Sequence, residues 1–231
     1  MGIENKINDL YSTMSYSSPV EKGALGEKQV FSICEEFYQE QGGILLHSYS
    51  YRVSSELQGN IKKNQNGIHY IESLGDHTEL DVLYISKYRI FPIEVKTYSA
   101  KKIILTDDGM SGAAHNDKSP VHQNEMHCRH LYDFLYRGIP SGGVLRPIQY
   151  EQPGFATEYI VPIVCFTDKC TISDERSDWQ YDYIKVTNLN GLASLIKEYN
   201  TPLDERINLR TCENVLRENG TAEKWLSYRD V

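Results

Sequence analysis

The chain of 231 residues is 40% apolar, which is enough for the packed core of one domain, or of one domain with a small appendage. Its formal net charge of −8 argues against a large general nucleic-acid surface but allows a local basic track beside acidic residues that hold metal ions. No apolar run approaches the ~20 residues of a membrane span, no signal-peptide core is present, and five cysteines without framework spacing fit a reducing compartment, so we expect a cytoplasmic protein that contacts no membrane.

The first predicted element is a helix that ends at about Gln41. Ser18 suits the N-cap position, Pro19 suits the first helical position, and the glycine pair after Gln41 ends the helix. Glu27 lies on the apolar stripe of this helix. A carboxylate on a core-facing stripe needs a partner, such as a metal ion or a lysine, because an unpaired buried charge is costly. The alternative is that Glu27 lies at the edge of the stripe and is solvated.

Strands are predicted next, over residues 44–53 and 67–73, and they are followed by a hairpin. The two strands of the hairpin are residues 78–86 and 89–97, with only two residues between them. If those two residues form the turn, the numbers of opposed residues sum to about 175, as turn length fixes the register.

This register brings three charged residues to one end of one sheet face. Asp81 lies opposite Glu94, with Cβ atoms roughly 5 Å apart, and Lys96 projects from the same face two residues later. Two carboxylates this close repel each other unless a cation lies between them, and Mg²⁺ is typically bound by one or two carboxylates with waters and phosphate oxygens. The pattern predicts a metal-dependent phosphodiesterase. The alternative is an exposed sheet end bearing surface salt bridges.

The remaining elements complete the predicted fold. Residues 106–119 have the composition of a mobile loop, and residues 107–118 within it are predicted to form a flap over a substrate groove. The other predicted elements are a strand over 101–105, a helix from Ser119-Pro120 to Gly138, strands over 159–167 and 181–186, and helices over 188–199, 202–218 and 221–228. This order predicts an α/β fold with a mixed β-sheet flanked by helices. We expect one domain over residues 1–187 and a small C-terminal helical extension over residues 188–231 that packs on the same domain.

Four histidines and a cysteine suggest a zinc site as an alternative metal centre. They are His115, His122, His127, His130 and Cys128. Residues 127, 128 and 130 share a helical face poorly, and the chain has no Cys-x-x-Cys pair. We therefore expect His122 and His130 on the exposed or DNA-facing side of their helix.

The charged motifs, taken together, resemble the NERD (nuclease-related) domain of the PD-(D/E)XK nuclease superfamily. The resemblance covers about residues 22–170 and rests on four pieces in the family's order. These are Gly26-Glu27, Glu79-Leu80-Asp81, Ile93-Glu94-Val95-Lys96 and Ser119-Pro120-Val121-His122-Gln123. Ser119 stands where the family usually has Asn. The resemblance implies a restriction-endonuclease-like fold and a nuclease that uses Mg²⁺ or Mn²⁺ to hydrolyse nucleic acid, with DNA favoured over RNA.

The resemblance also implies a role for each motif residue. Asp81 and Glu94 would be metal ligands, together with the backbone carbonyl of Val95. Lys96 would stabilise the pentavalent phosphate or help deprotonate the attacking water. Two further residues would support them: Glu27 as a ligand, directly or through water, and Gln123 as a partner of Lys96 or of a DNA phosphate. The alternative function is a catalytically silent module that keeps the nuclease fold and binds nucleic acid or a protein partner.

Overall fold

A computed structural model describes residues 18–52, 77–98, 100–107, 109–112, 119–137, 159–167, 170–177, 183–203 and 207–229. The helices are α1 (Pro19–Gln41), α2 (Pro120–Arg137), α3 (Leu189–Tyr199) and α4 (Leu209–Asn219). The strands are β1 (Gly43–Arg52), β2 (His77–Ile85), β3 (Ile90–Lys96), β4 (Lys102–Thr106), β5 (Gly109–Ser111), β6 (Ile163–Phe166), β7 (Thr171–Asp174), β8 (Lys185–Asn188) and β9 (Gly220–Arg229). The strand predicted over 67–73 lies outside the described residues.

A six-stranded sheet in the order β8-β6-β3-β2-β1-β9 forms the centre of the fold. Strands β3, β6 and β8 run parallel, and the pairs β3–β2, β2–β1 and β1–β9 are antiparallel. Helices α1 and α3 pack on one face, while α2 and α4 pack on the other. A smaller sheet has the order β5-β4-β7. The predicted α/β fold, a restriction-endonuclease-like mixed sheet flanked by helices, is confirmed.

Helix α1 begins and ends as its sequence predicts. The Ser18 Oγ accepts a hydrogen bond from the Glu21 N–H at 3.3 Å, and Pro19 occupies the first turn. At the other end the Gly42 N–H donates to the Tyr38 carbonyl at 2.9 Å, and Gly42 has a φ of 72°. The left-handed conformation ends the helix there and turns the chain directly into β1.

The β2–β3 hairpin has the predicted register. Tyr84 pairs with Phe91, and the ladder runs as far as the pair of Val82 with Ile93. Val82, Tyr84, Phe91 and Ile93 all pack in the core between the sheet and α1. A strand buried on both faces fixes its register strongly, because a slip of one residue would move every side chain to the opposite face.

The regular alternation of side chains is interrupted in both β1 and β2. Leu80 and Leu83 belong to the same core cluster although they are three residues apart, and so do Leu46 and Tyr49 of β1. Ser48 lies within the β1 interval and has a φ of 49°, in the left-handed region that few non-glycine residues adopt. Both strands therefore change face at the same level of the sheet, while their pairing keeps one register on either side of it, with His47 opposite Val82 and Tyr49 opposite Leu80. The predicted charged cluster begins at this level.

The C-terminal segment differs from the prediction. Residues 221–228 were expected to be helical, but Gly220–Arg229 form β9, and Leu46 pairs with Trp225 in the antiparallel β1–β9 ladder. The prediction is wrong because the open edge of β1 offers a full row of backbone hydrogen bonds, which overrides the weak helix propensity of the segment. The C-terminal region is thus two helices and a strand of the main sheet, and the division at residue 187 stays a prediction.

The predicted flap is wrong for part of its length. Gly109–Ser111 form β5, which pairs with β4, and Met110 is buried in the core beside β4. The Asp107 carboxylate accepts hydrogen bonds from the N–H of Ser177 at 2.9 Å and from its hydroxyl at 2.6 Å. Residues 108 and 113–118 lie outside the described part.

Candidate active site

Asp81 lies where β2 and β3 stop pairing. The Val95 N–H donates to Asp81 Oδ2 at 2.6 Å, just beyond the last ladder pair, Val82 with Ile93. A carboxylate has replaced a strand carbonyl as the acceptor. Because strand N–H groups point along the sheet, this carboxylate lies between the two strands rather than above one face. That differs from the predicted projection from one face, and it accompanies the change of face in β2 between Leu80 and Val82.

The Val95 carbonyl faces the same gap. The Thr167 N–H donates to the Lys96 carbonyl at 3.0 Å, so the backbone groups of Lys96 point towards β6. Backbone groups of successive strand residues point to opposite sides, and the N–H and C=O of one residue point to the same side. The Val95 carbonyl therefore points towards β2, as its N–H does. This is the direction that the resemblance requires, and the carbonyl's role as a metal ligand stays a prediction.

Glu94 is buried between the sheet and α2. It is 1% exposed, and its Oε1 lies 2.5 Å from the Lys96 Nζ while its Oε2 lies 3.4 Å from the His127 Nδ1. The Lys96 Nζ also donates to the Gln123 Oε1 at 3.1 Å. The structure thus brings the strand motif and the α2 motif together at Lys96, the contact that the resemblance implies for Gln123.

A buried amide holds α2 across the sheet. The Asn124 Nδ2 donates to the Ile163 carbonyl at 2.8 Å and to the Pro92 carbonyl at 3.2 Å. Buried polar groups of this kind are nearly always hydrogen-bonded, and such bonds specify one arrangement of the packed elements. With Asn124 fixed over β3 and β6, Gln123 precedes it by one residue and His127 follows it by three, and both reach the charged end of β3.

Gly26 brings α1 into close contact with the ends of β3 and β6. The helix approaches so near that a Cβ at Gly26 would lie 2.8 Å from the Thr167 Oγ1 and still closer to the Thr97 Oγ1. The two threonine hydroxyls are themselves 2.7 Å apart. Glu27 therefore enters the charged end of the sheet, where its Oε2 lies 3.4 Å from the His47 Nε2.

The two acids of the site have pKa values that are shifted in opposite directions. Burial raises the pKa of Asp81 well above its usual range, and the neighbouring charge of Glu94 raises it further. Burial also raises the pKa of Glu94, but the hydrogen bond with His127 and the charge of Lys96 outweigh it and lower that pKa. Burial lowers the pKa of Lys96, yet the Glu94 carboxylate raises it by more.

Glu27 belongs to the same electrostatic environment. Burial raises the pKa of Glu27, and the charges of Glu79 and other carboxylates raise it further. The charge of His47 lowers this pKa, but by less than the other causes raise it. The charge of Glu27 in turn raises the pKa of Asp81. Carboxylates that raise one another's pKa form a region of excess negative charge, which a divalent cation would neutralise.

The donor set fits a hard divalent cation. The Asp81 carboxylate and the Val95 carbonyl face the gap between β2 and β3, and the Glu94 carboxylate, whose charge acts on Asp81, is a third oxygen donor near them. Mg²⁺ is bound by one or two carboxylates with water completing its shell. Among the described residues, no group of three or more His, Cys, Asp or Glu side chains could hold a metal ion. Glu27 is therefore not a third side chain of such a group here, and its contact with a metal, direct or through water, stays a prediction.

The same finding bears on the zinc alternative. Within the part of the chain that the structure describes, the histidines and cysteines form no cluster that could hold a metal ion, and His115 lies outside that part. His130 is 3% exposed, so its expected place on an exposed face of α2 is wrong. His122 is partly exposed in the first turn of the helix.

Sequence reasoning missed two histidines that contact the motif acids. His127 contacts Glu94, and a signal for it was available, because it lies four residues after Gln123 and so projects from the same face of α2. His47 contacts Glu27, and on its other side Glu223, with the His47 Nδ1 3.0 Å from the Glu223 Oε2. No local pattern points to Glu223, which lies in a segment that was expected to be helical.

The site motifs lie within a region of the chain that matches a known family. Residues 22–167, more than half of the chain, match the family model of the nuclease-related domain. A search of curated proteins and a search of solved structures each found no match. The matched range contains the motif residues of α1, β2, β3 and α2, and it ends before α3, α4 and β9. In the described part of the chain, no helix is both long enough and apolar enough to span a membrane.

Proposed function

The chain belongs to the nuclease-related domain family, and from this premise we propose that it is a divalent-metal-dependent nuclease that hydrolyses phosphodiester bonds of DNA or RNA. One observation carries the proposal. The buried Glu94 carboxylate contacts Lys96. The Asp81 carboxylate accepts a hydrogen bond from the N–H of Val95, which lies between Glu94 and Lys96 in the chain. An acid pair and a lysine at one break in a sheet are costly to bury without a function that uses their charge.

Each motif residue would have its own role in the reaction. The metal ion, Mg²⁺ or Mn²⁺, would be held by Asp81, Glu94 and the Val95 carbonyl. When bound, such an ion offsets the negative charge of the phosphate and lowers the pKa of the water that attacks it. Lys96 remains protonated beside Glu94, and Gln123 holds its ammonium group. That positive charge is placed in advance where charge develops on the phosphate, which is the usual source of large electrostatic rate effects.

The surroundings of the site suit an anionic polymer. Gln123 lies in the first turn of α2, and the N-terminus of a helix favours phosphate groups. Lys101 and Lys102 are exposed at the start of β4, which follows the Lys96 strand. Such lysines would contact backbone phosphates of the substrate, and this electrostatic contribution to affinity does not depend on base sequence.

Water is the nucleophile that we propose, with no covalent intermediate on the protein. All five cysteines are buried, and burial raises the pKa of thiols such as Cys34 and Cys128. A buried thiol with a raised pKa supplies little thiolate, which is the reactive form.

Cleavage assays with single- and double-stranded DNA and RNA test the proposal. We expect cleavage in Mg²⁺ or Mn²⁺ that stops on chelation, and we expect Asp81→Asn to abolish both Mn²⁺ binding and cleavage. Glu198→Gln is the control, because Glu198 is an exposed acid on α3, remote in sequence from the site motifs. Wild-type protein that binds nucleic acid but cuts none of the four substrates would overturn the proposal and favour the silent module.

A further inference from the structure

His47 lies between two carboxylates that come from opposite ends of the chain. Its Nε2 is 3.4 Å from the Glu27 Oε2 of α1, and its Nδ1 is 3.0 Å from the Glu223 Oε2 of β9. The imidazole is buried, whereas the Glu223 side chain is 70% exposed. We propose that Glu223 and His47 are positioning residues that orient Glu27 at the candidate metal site, an inference that rests on the proposed nuclease function.

The geometry of the histidine ring supports this arrangement. Phe31 packs edge-on against it, with ring centroids 5.5 Å apart and an interplanar angle of 71°. A buried imidazole needs partners for its nitrogens. When both nitrogens carry a proton, the Nδ1–H donates to Glu223 and the Nε2–H faces the Glu27 carboxylate. The ring is then fixed between the two acids, in the way that outer partners fix the orientation of groups around metal sites.

Strand β9 is attached to both elements that carry the other two residues. It pairs with β1 along its length, and His47 is opposite Lys224 in that ladder. It is also bound to α1, since the Lys224 Nζ lies 3.1 Å from the Glu35 Oε1 and the Tyr38 hydroxyl donates to the Ser227 carbonyl at 2.8 Å. The position of Glu223 relative to α1 and β1 is therefore determined on two sides.

Glu27 is held near the acid pair by the packing of its own helix. Gly26, the preceding residue, is in close contact with Thr97 and Thr167, which follow β3 and β6, so a change in the position of Glu27 changes the field at the cation site. Glu223 lies beyond residue 167, where the match to the family ends. Strand β9 thus contributes a positioning residue to the site, although it lies outside the range that matches the family.

Mn²⁺ affinity, measured by titration calorimetry on the full chain, tests the proposal with four variants. Glu223→Ala removes the acceptor for the Nδ1–H, whereas Glu223→Gln keeps an acceptor oxygen and removes only the charge. His47→Ala removes the link itself. Glu218→Ala is the matched control, because Glu218 is an exposed glutamate on α4 and its loss changes the net charge equally.

The expected pattern separates positioning from charge. Outer partners of metal ligands commonly contribute about 10-fold or more in metal affinity or activity, so we expect Glu223→Ala and His47→Ala each to weaken Mn²⁺ binding roughly 10-fold. Glu223→Gln should stay within about two-fold of wild type, as should Glu218→Ala. The Glu223 side chain is 70% exposed, so water can replace its carboxylate as the partner of His47, and Glu223→Ala should unfold at nearly the wild-type temperature.

A double-variant cycle tests whether Glu223 acts through Glu27. Glu223→Ala should have no further effect on Mn²⁺ affinity or kcat in a Glu27→Ala background. Additive effects in that cycle, equal losses in Glu223→Gln and Glu223→Ala, or a Glu223→Ala protein that matches Glu218→Ala would each overturn the inference while leaving the nuclease proposal intact. A wild-type protein that neither binds Mn²⁺ nor cleaves nucleic acid would instead overturn the proposed function.

Discussion

A methyl group at Gly26 should push α1 away from the sheet. The Cβ of Gly26→Ala would lie 2.8 Å from the Thr167 Oγ1, while ordinary contact begins at 3.4 Å, so the gap must open by at least 0.6 Å (3.4 minus 2.8). The approach to the Thr97 Oγ1 is closer still. Both threonines are tied to each other by a hydrogen bond, and Thr167 is buried, so they have little room to yield.

The magnitude follows from the cost of overpacking. Forcing an extra methyl group into a close-packed contact typically costs about 1–3 kcal/mol. Gly23→Ala is the matched control on the same helix, because nothing lies within 4 Å of a Cβ there, and replacing a helical glycine by alanine stabilises by roughly 0.5–1 kcal/mol. Both variants gain this helix propensity, so their free energies of unfolding should differ by the overpacking cost alone, about 1–3 kcal/mol, with Gly26→Ala the less stable.

The same displacement should reach the site, since Glu27 is the next residue. A misplacement of ~1 Å can cost as much as about 10²-fold in catalysis, so we expect Gly26→Ala to weaken Mn²⁺ binding and cleavage while Gly23→Ala keeps both. Urea unfolding gives the stabilities and calorimetry gives the metal affinity. If Gly26→Ala were as stable as Gly23→Ala and bound Mn²⁺ equally well, the close approach of α1 would not position Glu27.

Three further outcomes are expected. Lys96→Ala should lose stability, because the buried Glu94 loses its closest partner, but the folded protein should bind Mn²⁺ nearly as wild type does and cleave about 10²–10³-fold more slowly; an equal loss of Mn²⁺ affinity would show that Lys96 acts on the metal site and not on the phosphate. His127→Phe should lower the free energy of unfolding by about 1–3 kcal/mol in a urea titration, because the buried Glu94 loses a partner, and an unchanged midpoint would count against their contact. Burial raises the pKa of Glu213, but hydrogen bonds from a guanidinium and a backbone N–H bring it below its usual value of 4.5. The stability that Glu213 contributes is therefore fully present above about pH 4.5 and is lost as the pH falls through its lower folded pKa. Glu213→Ala should then be less stable than wild type near pH 7 and should approach wild-type stability in acid. A difference in the free energy of unfolding that does not change with pH would contradict this.

Local sequence determined the elements whose signals are short-range. The N-cap at Ser18 and the glycines after Gln41 fixed both ends of α1, because capping depends only on residues within one turn. The hairpin register followed from a two-residue connection and from the alternation of apolar side chains, which leave one pairing that buries both faces. For the same reason the sequence placed Asp81 and Glu94 at adjacent positions of neighbouring strands.

The contacts between distant segments were decided by the tertiary structure. Residues 221–228 have ordinary helix formers, yet they became β9 because the free edge of β1 supplied backbone partners that the segment itself cannot provide. Asn124 fixed the position of α2 through carbonyls of β3 and β6, and this brought His127 to Glu94. The spacing of residues along the chain carries no information about such a contact between a helix and a sheet.

The motif residues themselves show the same division. The sequence by itself named Asp81, Glu94, Lys96 and Glu27 from short patterns of charge and periodicity, and it named Gln123 through the resemblance to the nuclease-related domain. Only the packed structure placed the Asp81 carboxylate between the strands, where a shared change of face interrupts the ladder. It also added His47 and Glu223, since the partners of a buried charge are chosen by what the fold brings within a few ångströms, however far apart the residues lie in the chain.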